Sequence, residues 1–196
     1  MIKLKDILLE SDIFIPRRVE DRLERYIKSY IKNGSEGDLN LEGFGFTKLP
    51  DLLKYVTNVS SFICSNNNLT SLVGAPKSVS GHFDCSHNYL TTLEGVPQNV
   101  ESVDCHNNNL TSLKGSPTSA VNSFDCSDNE LTSLVGAPQN VDNDFNCSYN
   151  NLTSLDGAPK TVGGDFYCDN NPVKFTEEQV RAVCDVGGDI YTYDKA

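Results

Sequence analysis

Hydrophobic and polar residues alternate in short stretches that recur along most of the chain. Each stretch opens with an apolar residue, a variable residue and a cysteine, as in Phe62-Ile63-Cys64, and two leucines follow at fixed offsets in all but the last, truncated stretch. Alternation with a period of two predicts a short strand with one buried face. Intervals of 20 or 21 residues separate the six cysteines that mark the recurrence: Cys64, Cys85, Cys105, Cys126, Cys147 and Cys168. Such a period predicts a solenoid of stacked repeats, with these strands paired into a parallel sheet.

The other positions of the repeat also have a mechanical interpretation. Leu69 and Leu72, with their equivalents, fill the core behind the sheet, and Gly74 and Pro76 favour an extended return in place of a helix. An asparagine follows each cysteine by three residues, where the chain leaves the strand. Its amide can bond the backbone of that turn and of the neighbouring repeat. We therefore predict an asparagine ladder of Asn67, Asn88, Asn108, Asn129, Asn150 and Asn171.

The aligned unit, apolar-x-Cys-x-x-Asn-x-Leu-x-x-Leu-x-Gly-x-Pro, resembles the leucine-rich repeat. Its short length and its proline are similar to the bacterial and bacteriophage type of that repeat, and Leu49-Pro50 keeps the more familiar Leu-Pro form. The resemblance covers residues 38–172. It implies a leucine-rich-repeat solenoid with a parallel β-sheet on its concave face and a mostly extended, non-helical convex side. In this family the concave face is the usual binding surface.

The two ends of a repeat stack expose apolar surface and need caps. Residues 1–37 form the predicted N-terminal helical cap, in which an amphipathic helix covers residues 17–32 and Gly34 ends it. The apolar face of this helix carries Val19, Leu23, Tyr26, Ile27 and Tyr30. Residues 38–172 are the predicted solenoid, and Asp38–Pro50 is its degenerate first repeat.

Residues 173–196 form the predicted C-terminal cap. Thr176-Glu-Glu-Gln179 is a capping box, which opens a helix that continues through Cys184. Gly187-Gly188 ends that helix, and Asp189–Tyr193 adds a last strand. Both ends therefore have a structural interpretation.

The first ten residues allow a second interpretation. They resemble the short amphipathic leaders of tailed-bacteriophage proteins, some of which direct a protein into the capsid. In that family a protease cuts after a glutamate in an apolar-x-Glu context, and Leu8-Leu9-Glu10 fits this pattern. The resemblance implies a packaged virion component with a cleavable leader. A capping helix explains the same residues.

The net charge of the chain limits the classes of partner that it is expected to bind. The chain has 27 acidic residues against 16 lysines and arginines, a net charge of −11. Such a balance repels phosphate backbones, so we expect no nucleic-acid partner. The first residues lack a secretory signal, and no run of about 18 apolar residues could span a membrane. We expect no membrane association and a reducing cytoplasm, that of a bacterial host if the protein is phage-encoded.

Cysteines and histidines are the candidates for chemistry. Equivalent side chains of neighbouring repeats lie about 4.8 Å apart and parallel, which fits a disulfide poorly, and the Cys-x-x-Cys pairs of zinc sites are missing from the sequence. We interpret the repeat cysteines and Cys184 as core residues. His87 and His106 belong to neighbouring repeats, so a weak metal pair is conceivable, but spacing specifies no third ligand. We predict solvated histidines, no metal site and no cofactor.

Enzymatic motifs are missing from the sequence. No nucleophile motif, phosphate loop or acid–base pair stands out. The 21 residues after Phe175 are too few for a separate catalytic domain. The sequence therefore predicts a non-catalytic protein-interaction module, or alternatively the substrate-recognition subunit of an enzyme complex.

The variable strand positions of the predicted concave face carry the binding hypothesis. Asp84, Asp104 and Asp125 stack directly in one column, although like charges at that spacing repel. Residues 60–172 hold three lysines, no arginine and twelve acidic residues, a local charge of −9. These carboxylates predict a protein partner with a basic surface. The alternative is that they keep a thin solenoid soluble.

Two flanking columns are expected on the same face. One contains Asp144 and Asp165, and the other consists of Ser65, Ser86, His106, Ser127, Ser148 and Asp169. Two tyrosines near the C-terminal end of the face would serve as aromatic anchors. The predicted partner-binding residues are Asp84, Asp104, Asp125, Asp144, Asn146, Tyr149, Asp165, Tyr167 and Asp169.

Overall fold

The computed structural model describes residues 17–34, 37–56, 58–118 and 122–192 of the chain. Helix α1 (Arg17–Lys32), strand β1 (Leu39–Asn40) and a 3-10 helix (Asp51–Tyr55) come first. The repeats contain the strands β2 (Phe62–Ile63), β3 (His82–Asp84), β4 (Ser102–Asp104), β5 (Phe124–Asp125), β6 (Asn140–Val141), β7 (Phe145–Asn146), β8 (Thr161–Val162) and β9 (Phe166–Tyr167). The last elements are helix α2 (Glu177–Arg181) and the strands β10 (Asp185–Val186) and β11 (Ile190–Tyr191).

Eight of the strands form one parallel sheet in the order β1-β2-β3-β4-β5-β7-β9-β11. Its register places equivalent residues of neighbouring repeats opposite one another, so that Phe62 pairs with Phe83 and Phe124 with Phe145. The rings of Phe124 and Phe145 are fully buried, and their centroids lie 5.9 Å apart. Stacked repeats therefore share one continuous core. The predicted leucine-rich-repeat solenoid with a parallel sheet is confirmed.

Where they are described, the segments that return from one strand of this sheet to the next consist of turns, bends and short strands, apart from the 3-10 helix in the first repeat and helix α2 between β9 and β11. A second parallel sheet, which the sequence did not predict, forms in these segments in the order β10-β8-β6. Its buried residues Val141, Val162 and Val186 align in register. At Gly163 a Cβ atom would meet the backbone carbonyl oxygen of Asp142. The repeats approach one another so closely here that glycine is required.

The asparagine ladder has the same form in each repeat. Oδ1 of Asn129 accepts a hydrogen bond of 2.9 Å from the amide of Leu110 in the preceding repeat. Its Nδ2 donates to the carbonyl oxygens of Cys105, Cys126 and Ser127 at 3.0–3.2 Å. The pattern recurs at Asn67, Asn88, Asn108, Asn150 and Asn171. Because a buried amide without partners is costly, these bonds make asparagine the residue that fits the position.

Helix α1 has the predicted bounds, but its buried face differs in part. Leu23, Ile27 and Tyr30 are buried, whereas Tyr26, which we predicted on the same face, is 37% exposed. Tyr26 lies at the edge of the apolar stripe, and its hydroxyl accepts a hydrogen bond from the amide of Asn40 at 3.2 Å. The Val19 side chain and the leader motif Leu8-Leu9-Glu10 lie outside what the structure describes.

The helix of the C-terminal cap begins at the predicted capping box but ends earlier than predicted. The side chain of Thr176 accepts a hydrogen bond from the amide of Gln179, and the Gln179 side chain accepts one from the amide of Thr176, so the capping box is confirmed. Helix α2 ends at Arg181 and not at Cys184, because the residues that follow join strand β10 beside β8. Among the described residues, no helix has the length and apolar character needed to cross a membrane.

Candidate partner-binding surface

The centre of the concave face is a column of residues that lie between the two buried positions of successive strands. The backbone of Asp104 pairs with that of Asp84 on one side and Asp125 on the other. This concave column begins at the exposed Asn40, and every later member is half-buried. These later members are Ile63, Asp84, Asp104, Asp125, Asn146, Tyr167 and Tyr191. The structure thus brings together the three aspartates that the sequence predicted to stack.

Each aspartate of the concave column is bonded to its own strand. Oδ1 of Asp84 accepts hydrogen bonds from the amide of Ser86 at 3.0 Å and from its hydroxyl at 2.7 Å. Asp125 accepts the same pair from Ser127 at 2.9 and 2.6 Å. Hydrogen bonds to a charged group contribute about 1.5–3 kcal/mol, which offsets the repulsion between neighbouring carboxylates. We did not predict this role from the sequence, although the Asp-x-Ser spacing signals it.

Asn146 occupies the same column without a charge. Its Oδ1 accepts a hydrogen bond of 3.1 Å from the amide of Ser148, and its Nδ2 donates to Oδ2 of Asp125 at 3.2 Å. The backbone bond of this position therefore needs an acceptor oxygen and not a carboxylate. Asparagine is the matched neutral replacement for the aspartates of the column.

The flanking aspartates connect one repeat to the next. Oδ1 of Asp144 accepts a hydrogen bond from the amide of Asp165 at 2.9 Å, and Oδ1 of Asp165 accepts one from the amide of Asp189 at 2.8 Å. The hydroxyl of Tyr167 donates to the other oxygen of Asp165 at 3.1 Å. Burial, and then the hydrogen bond to Asp165, raise the pKa of Tyr167 to about 12. These predicted binding residues also have a structural role.

Most residues of the opposite flanking column are buried and do not form part of the concave surface. Ser65, Ser86, Ser127 and Ser148 are only 3–6% exposed, which corrects the expectation that they lie on the concave face. Their side chains are short enough to bond back to the strand. His106 and Asp169 are larger and remain half-buried in the same column. The Asp169 carboxylate accepts hydrogen bonds from the Ser148 hydroxyl and the Asn170 amide group.

Two tyrosines close the C-terminal end of the concave column. The rings of Tyr167 and Tyr191 stack with centroids 4.5 Å apart and planes 6° from parallel. Tyr191 was missed from sequence because it lies beyond the last regular repeat. A signal existed, since Asp189-Ile190-Tyr191 repeats the pattern of Asp165-Phe166-Tyr167.

Tyr149, the other predicted anchor, lies in a turn and not on a strand. Its backbone is left-handed, with φ of 53°, and its side chain is 54% exposed. The equivalent residue of each described repeat has the same conformation, with φ between 51° and 55°: Asn66, His87, Asn107, Asp128 and Asn170. Asparagine and aspartate tolerate this region better than tyrosine does. The structure therefore separates Tyr149 from the other predicted contacts.

A histidine pair lies beside the concave column. Nδ1 of His106 is 2.6 Å from Oδ1 of Asp104, and its Nε2 is 3.0 Å from Nε2 of His87. Burial lowers the pKa of His106, but the hydrogen bond and charge of Asp104, with the charges of Asp125 and Asp84, raise it above the ordinary 6.5. The prediction of two merely solvated histidines is therefore wrong for His106, which is half-buried and bonded at both nitrogens.

The cysteine column is core material. All seven cysteines are buried and free. The thiols of Cys105, Cys126 and Cys147 donate to carbonyl oxygens of the following repeat at 3.0–3.2 Å. Burial raises the pKa of each of these thiols well above the ordinary value. Protonated, inaccessible thiols are poor nucleophiles and poor metal ligands.

The sequence matches no protein-family model and no curated protein. It is similar to a solved structure of a Shigella effector LRR domain, with a TM-score of 0.64 and 18% identity, over 96% of this chain and 94% of that chain. At this identity the likeness concerns the fold. The chain therefore folds as a leucine-rich-repeat solenoid, with repeats of 20 or 21 residues, an asparagine ladder and a cysteine column.

Proposed function

We propose that this protein is a non-catalytic interaction module whose concave face binds a protein partner with a basic surface. The observation that carries the proposal is the stack of three half-buried carboxylates in the concave column. Within the described residues, the hydrogen bonds of Asp84 and Asp104 use Oδ1, which leaves Oδ2 for a partner. An acidic strip of this kind attracts lysine- and arginine-rich segments and speeds their association.

The stacked tyrosines would fix one end of such a segment. A cationic side chain over the ring of Tyr167 or Tyr191 gains about 0.5–1 kcal/mol at an exposed site. Asp165 lies next to Tyr167 and adds a negative charge at the same end. We therefore place the basic segment across the strands, from the aspartates to the tyrosines.

The competing explanation is that the carboxylates serve only stability and solubility. The bonds from Asp84, Asp104 and Asp125 to their own strands support this explanation as well. Replacement by asparagine separates the two roles, because Asn146 keeps the backbone bond without a charge. We therefore choose Asp84→Asn/Asp104→Asn/Asp125→Asn as the test variant.

The experiment measures binding of a fluorescent ten-residue lysine- and arginine-rich peptide by anisotropy, in EDTA and at two salt concentrations. We expect the wild type to bind and the triple variant to bind at least about tenfold more weakly, since each lost charge pair contributes up to about 1 kcal/mol. Binding by the wild type should weaken at the higher salt, because surface charges are screened.

The matched control removes three charges elsewhere. Asp142, Asp156 and Glu178 are exposed and lie outside the concave column. Asp142→Asn/Asp156→Asn/Glu178→Gln changes the net charge equally and should bind almost as the wild type does. Equal losses in the two triple variants would show attraction to net charge alone and would contradict a concave binding face. The same contrast should hold for any partner captured from a host lysate.

We further propose a bacterial cytoplasm as the place of this interaction, since seven buried free thiols suit a reducing compartment. In a larger enzyme complex the same face would recognise the substrate. A second candidate function is that of a packaged virion component, which Leu8-Leu9-Glu10 favours. Mass spectrometry of purified phage particles tests it: a chain beginning at Ser11 supports packaging, and an intact Met1 end contradicts it.

A further inference from the structure

His87 and His106 differ from the residues that most other repeats have at the equivalent positions. His106 stands where four other repeats have serine: Ser65, Ser86, Ser127 and Ser148. His87 occupies the left-handed turn position that is asparagine in three repeats: Asn66, Asn107 and Asn170. The two departures lie in neighbouring repeats and in different columns. The stacking of the repeats nevertheless brings their Nε2 atoms to 3.0 Å from each other.

Asp104 determines how the ring of His106 is oriented. In neighbouring repeats, Oδ1 of the equivalent aspartate holds a serine hydroxyl, but Oδ1 of Asp104 holds Nδ1 of His106 at 2.6 Å. Because Nδ1 carries the proton of that bond, Nε2 of the neutral ring has a lone pair, which accepts the hydrogen bond from Nε2 of His87. A metal ion held by both nitrogens would take the place of the proton between them. A carboxylate behind a histidine is the usual support of a metal-binding imidazole.

The spacing of the two rings suits a shared metal ion. Nitrogens that are each about 2.0–2.1 Å from one ion lie about 2.8–3.4 Å apart for ligand angles between roughly 90° and 110°. The observed 3.0 Å is within this range. The ring centroids are 4.6 Å apart, which is more than the distance between the two Nε2 atoms. The two rings therefore direct these nitrogens towards each other. Imidazole ligands favour zinc, copper and nickel over calcium and magnesium.

We propose that His87 and His106 bind a divalent transition-metal ion of the zinc class through their Nε2 atoms, with Asp104 as the positioning residue. Asp125, whose carboxylate lies within 4.8 Å of ligand atoms of Asp104 and His106, adds negative charge nearby. Two imidazoles leave coordination positions open to water or to a side chain of a partner. This site replaces our expectation of no metal, and it does not depend on the basic partner proposed above.

The test uses variants that restore the residues of the other repeats. Zinc binding to the reduced, folded full chain is measured by competition with a chromogenic chelator. We expect one equivalent of Zn²⁺ to bind the wild type, and the affinity to fall at least about tenfold in both His87→Asn and His106→Ser. His82→Ser is the matched control, because serine stands at the equivalent positions Ser61, Ser102 and Ser123. This control should bind zinc as the wild type does.

Nuclear magnetic resonance of the three imidazoles provides an independent readout. Saturating Zn²⁺ should shift the nitrogen resonances of Nε2 in His87 and His106 and leave those of His82 unchanged. Asp104→Asn should weaken binding by about 10–100-fold through loss of the orienting bond. Asp125→Asn should change the affinity by less than about threefold, because Asp125 adds charge nearby but does not bind the ion.

Three outcomes overturn the proposal. One is the absence of saturable binding at Zn²⁺ concentrations up to about 1 mM. Another is unchanged affinity in both His87→Asn and His106→Ser, which would place zinc on the thiols. The third is loss of binding in Asp125→Asn but not in His87→Asn, which would mean a site centred on the carboxylates.

Discussion

Single amide side chains join consecutive repeats at the scale of the residue. Asn129 is 8% exposed, and its hydrogen bonds reach backbone groups of two repeats. In a solenoid each repeat contacts only its neighbours, so such bonds contribute directly to the stability of each interface. The asparagines of the ladder therefore stabilise the fold, whereas the half-buried aspartates of the concave column are the proposed binding residues.

Replacement of Asn129 by alanine should lower the free energy of unfolding by about 2–4 kcal/mol, because it leaves buried backbone groups without partners. Urea denaturation followed by circular dichroism measures the loss. Asn109→Ala is the control, since the Asn109 side chain bonds to Glu130 at 3.3 Å on the surface. Equal losses in the two variants would contradict the role of the ladder.

At the scale of the element, no strand of the main sheet is longer than three residues, and helix α2 has five. Elements of this length are not stable alone in water. Their ends are therefore decided by the packing around them, and local signals matter mainly where they satisfy a specific backbone group. The capping box of α2 is such a signal.

Removal of the Thr176 side-chain oxygen should destabilise the C-terminal cap. We expect Thr176→Ala to lower the free energy of unfolding by about 1 kcal/mol, because the amide of Gln179 loses its acceptor. Thr176→Ser keeps the oxygen and should retain most of the stability. Hydrogen exchange of residues 177–191 measures both, and equally fast exchange in the serine variant would contradict the capping role.

At the scale of the whole molecule, one column of thiols runs through the core. Burial raises the pKa of all seven cysteines, to about 12 for Cys168 and about 11 for Cys184. A thiol whose pKa is raised by folding contributes stability that is complete below its unfolded pKa, with an ordinary value of 9.0. That stability is lost as the pH rises from 9 towards the folded pKa values.

The free energy of unfolding should therefore decrease steeply above pH 9. Each buried thiol contributes a slope of up to about 1.4 kcal/mol per pH unit. Urea denaturation at pH values from 7.5 to about 10.5 measures the slope. The variant Cys85→Ala/Cys126→Ala should be less stable at pH 7.5 and should show a shallower slope above pH 9. An identical slope in the double variant would exclude the thiols as its cause.

The repeat period by itself determined most of the fold. Cysteine and asparagine at fixed offsets predict which residues are buried, and the structure confirms this for the phenylalanine, cysteine and asparagine positions. Stacking of Asp84, Asp104 and Asp125 also follows from the period, because equivalent residues of parallel strands must pair. The start of α2 was predictable because its capping signal is local.

Only the tertiary structure decided which side chains from different repeats meet. The bond between the Asp165 carboxylate and the amide of Asp189, the stack of Tyr167 on Tyr191, and the second sheet all join residues more than twenty positions apart. The same is true of the early end of α2, where pairing with β8 overrides helical propensity. The contact of His87 with His106 depends on the turn conformation and on Asp104. The repeat period in the sequence specifies which residues are equivalent, but it does not specify how side chains of neighbouring repeats are oriented towards one another.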